Sequence, residues 1–221
     1  MKLLMEALTK FTCGLLLAGL LIFLPAGTLS YTYGWLLIGL LFGPMLVAGF
    51  VMLAKSPEFL KKRLDAKEKQ GTQKGVVALS GLMFIVGFVV AGLDFRFGCS
   101  QVSAWIVITA SVLFLVAYAL YAEVMRENAY LSRTIKVEEG QTVVDTGLYG
   151  IVRHPMYAVT ILLFLMIPLV LGSWYASIAF AFYPAVIIVR LKAEEELLTR
   201  ELPGYAEYKK KVKYRIIPFV W

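Results

Sequence analysis

Five consecutive residues, Arg153-His154-Pro155-Met156-Tyr157, place a cation, an imidazole and a phenol at the mouth of a long apolar segment. The imidazole is the only histidine in a chain of 221 residues. In hydrocarbon each of these groups is costly unless it faces a protein cavity or the membrane–water interface, so the cluster marks a place where chemistry can occur. Pro155 predicts that a helix starts there, because a first-turn proline has no intrahelical N–H bond to lose. The free amides of such a turn favour a carboxylate or a phosphate. The alternative is that Arg153 and His154 only anchor the end of a span at the headgroups. The preceding Gly147-Leu148-Tyr149-Gly150 argues for a built site.

A second polar cluster, Arg190-Leu-Lys-Ala-Glu194-Glu195-Glu196, closes the last apolar segment. Arg190 and Glu194 are four apart and share one helix face. They are expected to line one pocket wall while Glu195 and Glu196 point elsewhere. A solvated helix end with an i,i+4 pair is the simpler reading of this stretch taken alone.

The elements that must position these clusters are membrane helices. Hydrophobic residues make up 60% of the chain and the mean hydropathy is +0.76, well above the composition of soluble domains. Spanning hydrocarbon takes about 20 apolar residues as a helix. Six segments qualify in some measure: 11–29, 32–54, 76–94, 103–122, 156–172 and 174–190. The last two are short, carry Pro168 and Pro184, and are joined only by Leu171-Gly172-Ser173-Trp174, which predicts a tight helical hairpin. An antiparallel hairpin returns Arg190 and Glu194 to the membrane level of His154. The expected fold is therefore all-α: a polytopic membrane helix bundle of five to six transmembrane helices, with a C-terminal helical hairpin; the family resemblance described below implies a cytoplasmic cofactor pocket at its open end.

Orientation follows from the basic residues, which are retained on the cytoplasmic side. With the N-terminus inside, Lys2, Lys10, seven residues of the 55–74 loop, four from Arg126 to Arg153 and eight from Arg190 onward face the cytoplasm, which leaves Arg96 outside. Both termini are thus expected in the cytoplasm. The first span lacks a small-x-small cleavage pattern and is retained as structure. The net charge of +7 suits an anionic inner leaflet better than nucleic acid, which is not expected as a partner. Cys13 and Cys99 fall at different depths, and one histidine with two scattered cysteines makes no recognisable metal site, so no metal is expected.

Residues 1–127 are expected to hold about four spans and the cytoplasmic loop 55–74, itself a solvated stretch with a short surface helix from Glu58 to Lys69. Residues 128–221 are expected to form a second region, which the resemblance described below implies is the catalytic one. Within it, Arg133, Lys136, Glu138, Glu139 and Asp145 interleave with Val137, Val143, Val144 and Leu148, a pattern for a folded lip over a pocket. Gly147 and Gly150 allow positive φ or close backbone approach. The basic tail that ends at Trp221 is expected to pack back on this lip.

In their order, Gly147-Leu148-Tyr149, Arg153-His154-Pro155-x-Tyr157, Arg190-x-x-x-Glu194-Glu195-x-x-Leu198 and Glu201-Leu-Pro-Gly-Tyr205-Ala-Glu-Tyr208 resemble the isoprenylcysteine carboxyl methyltransferase and phospholipid methyltransferase superfamily. The resemblance runs from about Asn128 to the C-terminus. It implies a membrane enzyme that takes S-adenosylmethionine from the cytosol and a lipophilic or lipidated acceptor from the bilayer. Carried over by position, the cofactor pocket comprises Gln141, Thr142, Val143, Val144, Tyr149, His154, Pro155, Met156, Tyr157 and Glu194. Arg190 takes the substrate-side position, and Arg190 and Glu194 are the catalytic pair. On this reading Glu194 meets the cofactor's ammonium, His154 and the helix start meet its carboxylate, and Tyr149 or Tyr157 stacks or hydrogen-bonds.

An isoprenylcysteine carboxylate is already ionised and needs only an orienting cation, a role that suits Arg190. A phospholipid amine needs a base, which Glu194 or Glu195 would have to supply. Arg190 tilts the expectation toward an anionic oxygen or sulfur, with a lipophilic acid, thiol or quinol-like acceptor equally compatible. Two other classes stay open: a reductase of the sterol reductase type using NADPH, for which Tyr205, Tyr208 and Lys209-Lys210-Lys211 leave room, and a non-enzymatic lipid-binding protein.

Overall fold

The computed structural model describes residues 2–64, 71–131 and 137–221, with the side chains of 71–73 outside the description. All regular elements in these residues are helical. They are α1 (Lys2–Ala26), α2 (Thr32–Lys55), α3 (Pro57–Leu64), α4 (Gly71–Phe97), α5 (Ala104–Glu127), α6 (Pro155–Val170), α7 (Trp174–Phe180), α8 (Tyr183–Glu201) and α9 (Tyr205–Lys211). A single 3-10 turn, Gly147–Gly150, precedes α6.

Among the described residues, five helical stretches are long and apolar enough to cross a membrane: α1, α2, α4 from Lys74, α5, and α7 with α8 taken together. Leucine, valine, phenylalanine and isoleucine cover their outer faces, with Leu16, Val47, Ile85 and Val116 exposed. In water such faces would aggregate; in lipid they are solvated. The chain is an integral, multi-pass membrane protein.

The C-terminal hairpin differs in detail from the expected pair of short spans. α6 has 16 residues, which at 1.5 Å per residue reach about 24 Å, short of a bilayer core. The returning arm is interrupted at Ala181-Phe182, directly before Tyr183-Pro184, and Pro184 occupies the first turn of α8. Because Pro184 cannot supply an intrahelical N–H, the chain ends one helix and starts another. Beyond Arg190 the second helix runs on to Glu201, three turns past the apolar segment.

Close packing of α1 on α4 and of α5 on α6 forms the core. At Gly92 an added Cβ would lie 2.5 Å from the Ile22 carbonyl oxygen, so this glycine sets the approach of α1 to α4. At the end of the bundle opposite the polar clusters, buried Asp94 accepts from the Ser100 amide at 2.7 Å and from the Ser173 hydroxyl, which in turn caps α7 by accepting from Ala176 N–H. The Tyr31 hydroxyl donates to Leu171 O. These bonds fix the α6–α7 turn, and with it the level at which the hairpin brings its other end back.

The expected surface helix Glu58–Lys69 is present as α3 through Leu64; residues 65–69 lie outside the described residues. In the lip, Arg133 and Lys136 likewise lie outside them.

Candidate functional site

The hairpin brings the two polar clusters into contact. Successive turns of α8 present Arg190, Glu194 and Leu198 to one cleft, as their spacing of four requires. From α6, the Tyr157 hydroxyl donates to Glu194 Oε2 and accepts from Arg190 Nε at 3.1 Å. Tyr157 thereby links the guanidinium and the carboxylate that the sequence placed on one face. Its ring lies parallel to the His154 imidazole, with centroids 5.7 Å apart and planes 25° apart.

Glu195 is the main departure from expectation. One residue further along α8 is a rotation of about 100°, which turns this carboxylate away from the cleft and into the protein rather than into water. It is 4% exposed. Its Oε1 accepts from Arg153 Nε at 2.6 Å and lies 3.4 Å from His154 Nε2, while its Oε2 accepts from Arg215 Nε at 2.9 Å. Arg153, 7% exposed, also donates to the carbonyls of Val212 and Lys213 at 2.7 and 2.8 Å. A headgroup anchor would be exposed; Arg153 is instead the buried cation of an ion pair that holds α6, α8 and the tail together. Glu196 is exposed, as expected.

The tail closes this arrangement. The backbone N–H groups of Arg153 and His154 donate to Tyr214 O and Arg215 O at 2.9 and 2.8 Å. The Arg215 guanidinium lies 5.0 Å from the centre of the Trp221 ring, and Trp221 packs against the main core. α9 contributes Tyr205, whose hydroxyl is 3.5 Å from His154 Nε2, and Tyr208, whose hydroxyl donates to Tyr149 O at 2.7 Å. Burial pushes the phenols of Tyr149, Tyr205 and Tyr208 well above their ordinary range, so all three stay protonated across the physiological range.

The lip forms as the glycine pattern suggested. Gly147 adopts φ 52°, and a Cβ there would meet the Glu127 carboxyl at 3.0 Å; a Cβ on Gly150 would meet Asp145 O at 3.1 Å. Lys211 on α9 donates to Asp145 Oδ2 at 2.6 Å and holds that carboxyl below the usual aspartate range. Gln141 accepts from the Glu138 amide at 2.9 Å.

Gln141, Thr142, Val143, Val144, Tyr149, His154, Met156, Tyr157, Arg190 and Glu194 all line this one cleft, of about 830 Å3 counting its open mouth. Pro155 stands behind the wall as the first residue of α6. Asn128, Tyr130, Leu131, Arg153, Leu198, Leu202, Tyr205 and Tyr208 complete it. Tyr205 and Tyr208 were visible as motif residues without an assigned place, whereas Asn128, which donates to the Tyr149 hydroxyl at 3.1 Å, carries no sequence signal.

A second cavity, of about 1010 Å3 counting its mouth, adjoins the first. Met156, Tyr157 and Arg190 belong to both. Its remaining walls are apolar side chains of α4, α6 and α8, among them Val76, Phe84, Phe164 and Ile187, together with Ser80, Thr160, Tyr121 and Arg63. Neither cavity offers a cluster of three His, Cys, Asp or Glu among the described residues.

Fold and site together define a class: a helical membrane protein with a polar cleft that shares a wall with an apolar cavity. Residues 104–200, covering α5 to α8, match the isoprenylcysteine carboxyl methyltransferase (ICMT) family. The match supports a membrane methyltransferase of that type and agrees with the resemblance carried by the motifs. The chain is also similar to the uncharacterized protein YpbQ of Bacillus subtilis (strain 168), 28% identical over 165 residues that cover 74% of this chain and 95% of that protein.

Proposed function

We propose that the protein is an S-adenosylmethionine-dependent methyltransferase that acts on an anionic oxygen of a lipophilic acceptor, a carboxylate such as that of an isoprenylcysteine being the leading candidate. The observation that carries this reading is the wall shared by the two cavities, where Tyr157 joins Arg190 to Glu194. A polar cofactor and an apolar acceptor can meet only at such a wall.

The cleft's donor set fits the cofactor. Glu194 supplies a carboxylate for the ammonium, Asn128 and Gln141 supply amides, and the rings of Tyr149, Tyr157 and Tyr205 supply surfaces for a purine. His154 is buried with Glu195 and Tyr205 on its Nε2 side, so it acts here by positioning Tyr157 and the start of α6. When bound, S-adenosylmethionine offers a methyl on a positively charged sulfur, which the acceptor oxygen takes by in-line displacement while the C–S electron pair stays on sulfur as a neutral thioether. An ionised acceptor has no proton to lose, so the chain needs no general base. Arg190 orients the oxygen, Tyr157 fixes Arg190, and the apolar walls of Phe84, Phe164 and Ile187 exclude water.

The basic surplus at Arg190 to Arg215 and in the 55–74 loop supports placing the cleft and both termini on the cytoplasmic side. The acceptor then comes laterally from the bilayer. The polar cleft's charged lining favours this reading over a reductase: Arg153 is committed to Glu195, leaving few cations for a dinucleotide's several phosphates.

Titration of the detergent-purified protein with S-adenosylmethionine and with NADPH tests the reading. Saturable binding of the first that is lost in Glu194→Ala is expected. Binding of NADPH alone would replace it with the reductase class.

A further inference from the structure

The acceptor-side cavity has two cationic corners, and one of them lies outside the residues that match the family. Arg190 stands on α8; Arg63 stands in the last turn of α3, in a stretch whose sequence suggested a solvated loop with a short surface helix. The structure gives α3 a fixed seat instead. Leu60 is buried, Lys62 pairs with Glu138 of the lip, and Lys10 donates to Leu64 O at 2.8 Å.

Arg63 is held in turn. Its guanidinium donates to the Tyr121 hydroxyl and lies 5.6 Å from the centre of the Tyr121 ring. Both contacts orient the charge without neutralising it, since a phenol and a π-face carry no net charge. Among the described residues no carboxylate pairs with Arg63. A half-buried, pre-oriented cation at the polar end of an apolar cavity is a device for receiving an anion.

We infer that Arg63 is an acceptor-positioning residue, and that the cavity takes a lipophilic anion whose head lies between Arg63 and Arg190 and whose chain runs along Phe84, Phe164 and Ile187. The role of that anion as methyl acceptor rests on the methyltransferase reading above. Arg190 is already linked to Glu194 through Tyr157, so it is the charge of Arg63 that disfavours an amine or a choline at the head, through like charge and lost hydration. On this inference the occupant is an acid rather than a phospholipid amine. Binding to the non-attacking oxygen is the useful arrangement, because it aligns the head and leaves the second oxygen unobstructed for attack.

The test uses the full chain in phosphatidylcholine nanodiscs saturated with S-adenosylhomocysteine, with radiolabelled palmitate as probe and hexadecanol as neutral competitor. The wild type should prefer palmitate by tenfold or more, the discrimination expected of charge-assisted hydrogen bonds. Arg63→Gln should cut that preference about tenfold with S-adenosylhomocysteine affinity unchanged, and Arg63→Lys should restore most of it. Equal preference in wild type and Arg63→Gln would overturn the inference. So would a Lys variant as poor as Gln, which would make Arg63 a packing residue on Tyr121. Displacement of palmitate by equimolar phosphatidylglycerol would overturn it too, because the cavity would then be an anionic headgroup site. An Arg63-dependent preference in a protein that binds no S-adenosylhomocysteine would uphold the anion cavity and sink the methyltransferase reading.

Discussion

Replacing Glu195 by alanine leaves the Arg153 guanidinium buried with its charge uncompensated, and the neighbouring Glu194→Ala does not. That contrast follows from one helical step on α8 and can be worked through. Arg153 keeps two neutral acceptors, Val212 O and Lys213 O, and loses the Glu195 carboxylate, its one carboxylate partner among the described residues. Arg215 loses the same carboxylate but is a third exposed and retains its contact with Trp221, so its loss is small. Breaking a buried pair by removing one partner costs about 3–5 kcal/mol, and the two remaining carbonyls put this case at about 3 kcal/mol. At about 1.4 kcal/mol per factor of ten, that lowers the folding equilibrium by roughly a hundredfold. The assay is denaturant unfolding in detergent, paired with saturation binding of S-adenosylmethionine at a temperature where every variant is folded. Glu195→Ala should unfold far earlier; Glu194→Ala should unfold like the wild type and lose the cofactor. The double variant Arg153→Leu with Glu195→Leu should be more stable than either single change, because it removes both charges together. A Glu195→Ala shift within about 0.5 kcal/mol, the range of ordinary surface changes, would refute the buried-pair argument.

Other outcomes are equally open to measurement. Tyr157→Phe removes the hydroxyl between Arg190 and Glu194 and should weaken S-adenosylmethionine binding about tenfold, with Glu194→Gln weaker still, as read by calorimetric titration. Gly92→Ala forces a methyl against the Ile22 carbonyl and should cost about 1–3 kcal/mol in the same unfolding assay, since a backbone atom cannot move aside as a side chain can. The Asp145–Lys211 contact ties α9 to the lip, and its effect depends on pH in a defined direction. Because the folded carboxyl is depressed, its contribution is present above the ordinary aspartate pKa and is lost as pH falls through the lower, folded value. Limited proteolysis of the lip should therefore set in at a higher pH in Lys211→Ala than in the wild type, and identical profiles would show that this contact does not hold the lip.

Much of the site was legible because its residues are tied to helix geometry. A spacing of four put Arg190 and Glu194 on one face, Pro155 announced a helix start, and the short link after α6 required the hairpin that returns α8 to the level of His154. Gly147 and Gly150 allowed a positive φ or a close backbone approach; Gly147 takes the first and Gly150 the second. Glu195 was placed away from the cleft correctly, but its destination was not visible. Which way a side chain points is a matter of phase along one helix; what waits there depends on the tail from Val212 to Arg215, seventeen or more residues later in the chain. Arg63 was hidden for a similar reason. In a run of charged residues nothing distinguishes the one that turns inward until α3 is seated by Leu60 and Lys62.

The sequence by itself determined the solvent, the element type and the addresses of the two polar clusters, because hydropathy, periodicity and proline position are local properties that lipid enforces on each helix separately. Only the tertiary structure decided which charges face each other, that the polar cleft and the apolar cavity share Met156, Tyr157 and Arg190, and that the C-terminal tail buries Arg153. Those are contacts between segments distant in the chain, and their geometry comes from how whole helices pack, as at Gly92 against Ile22, rather than from any one segment's composition.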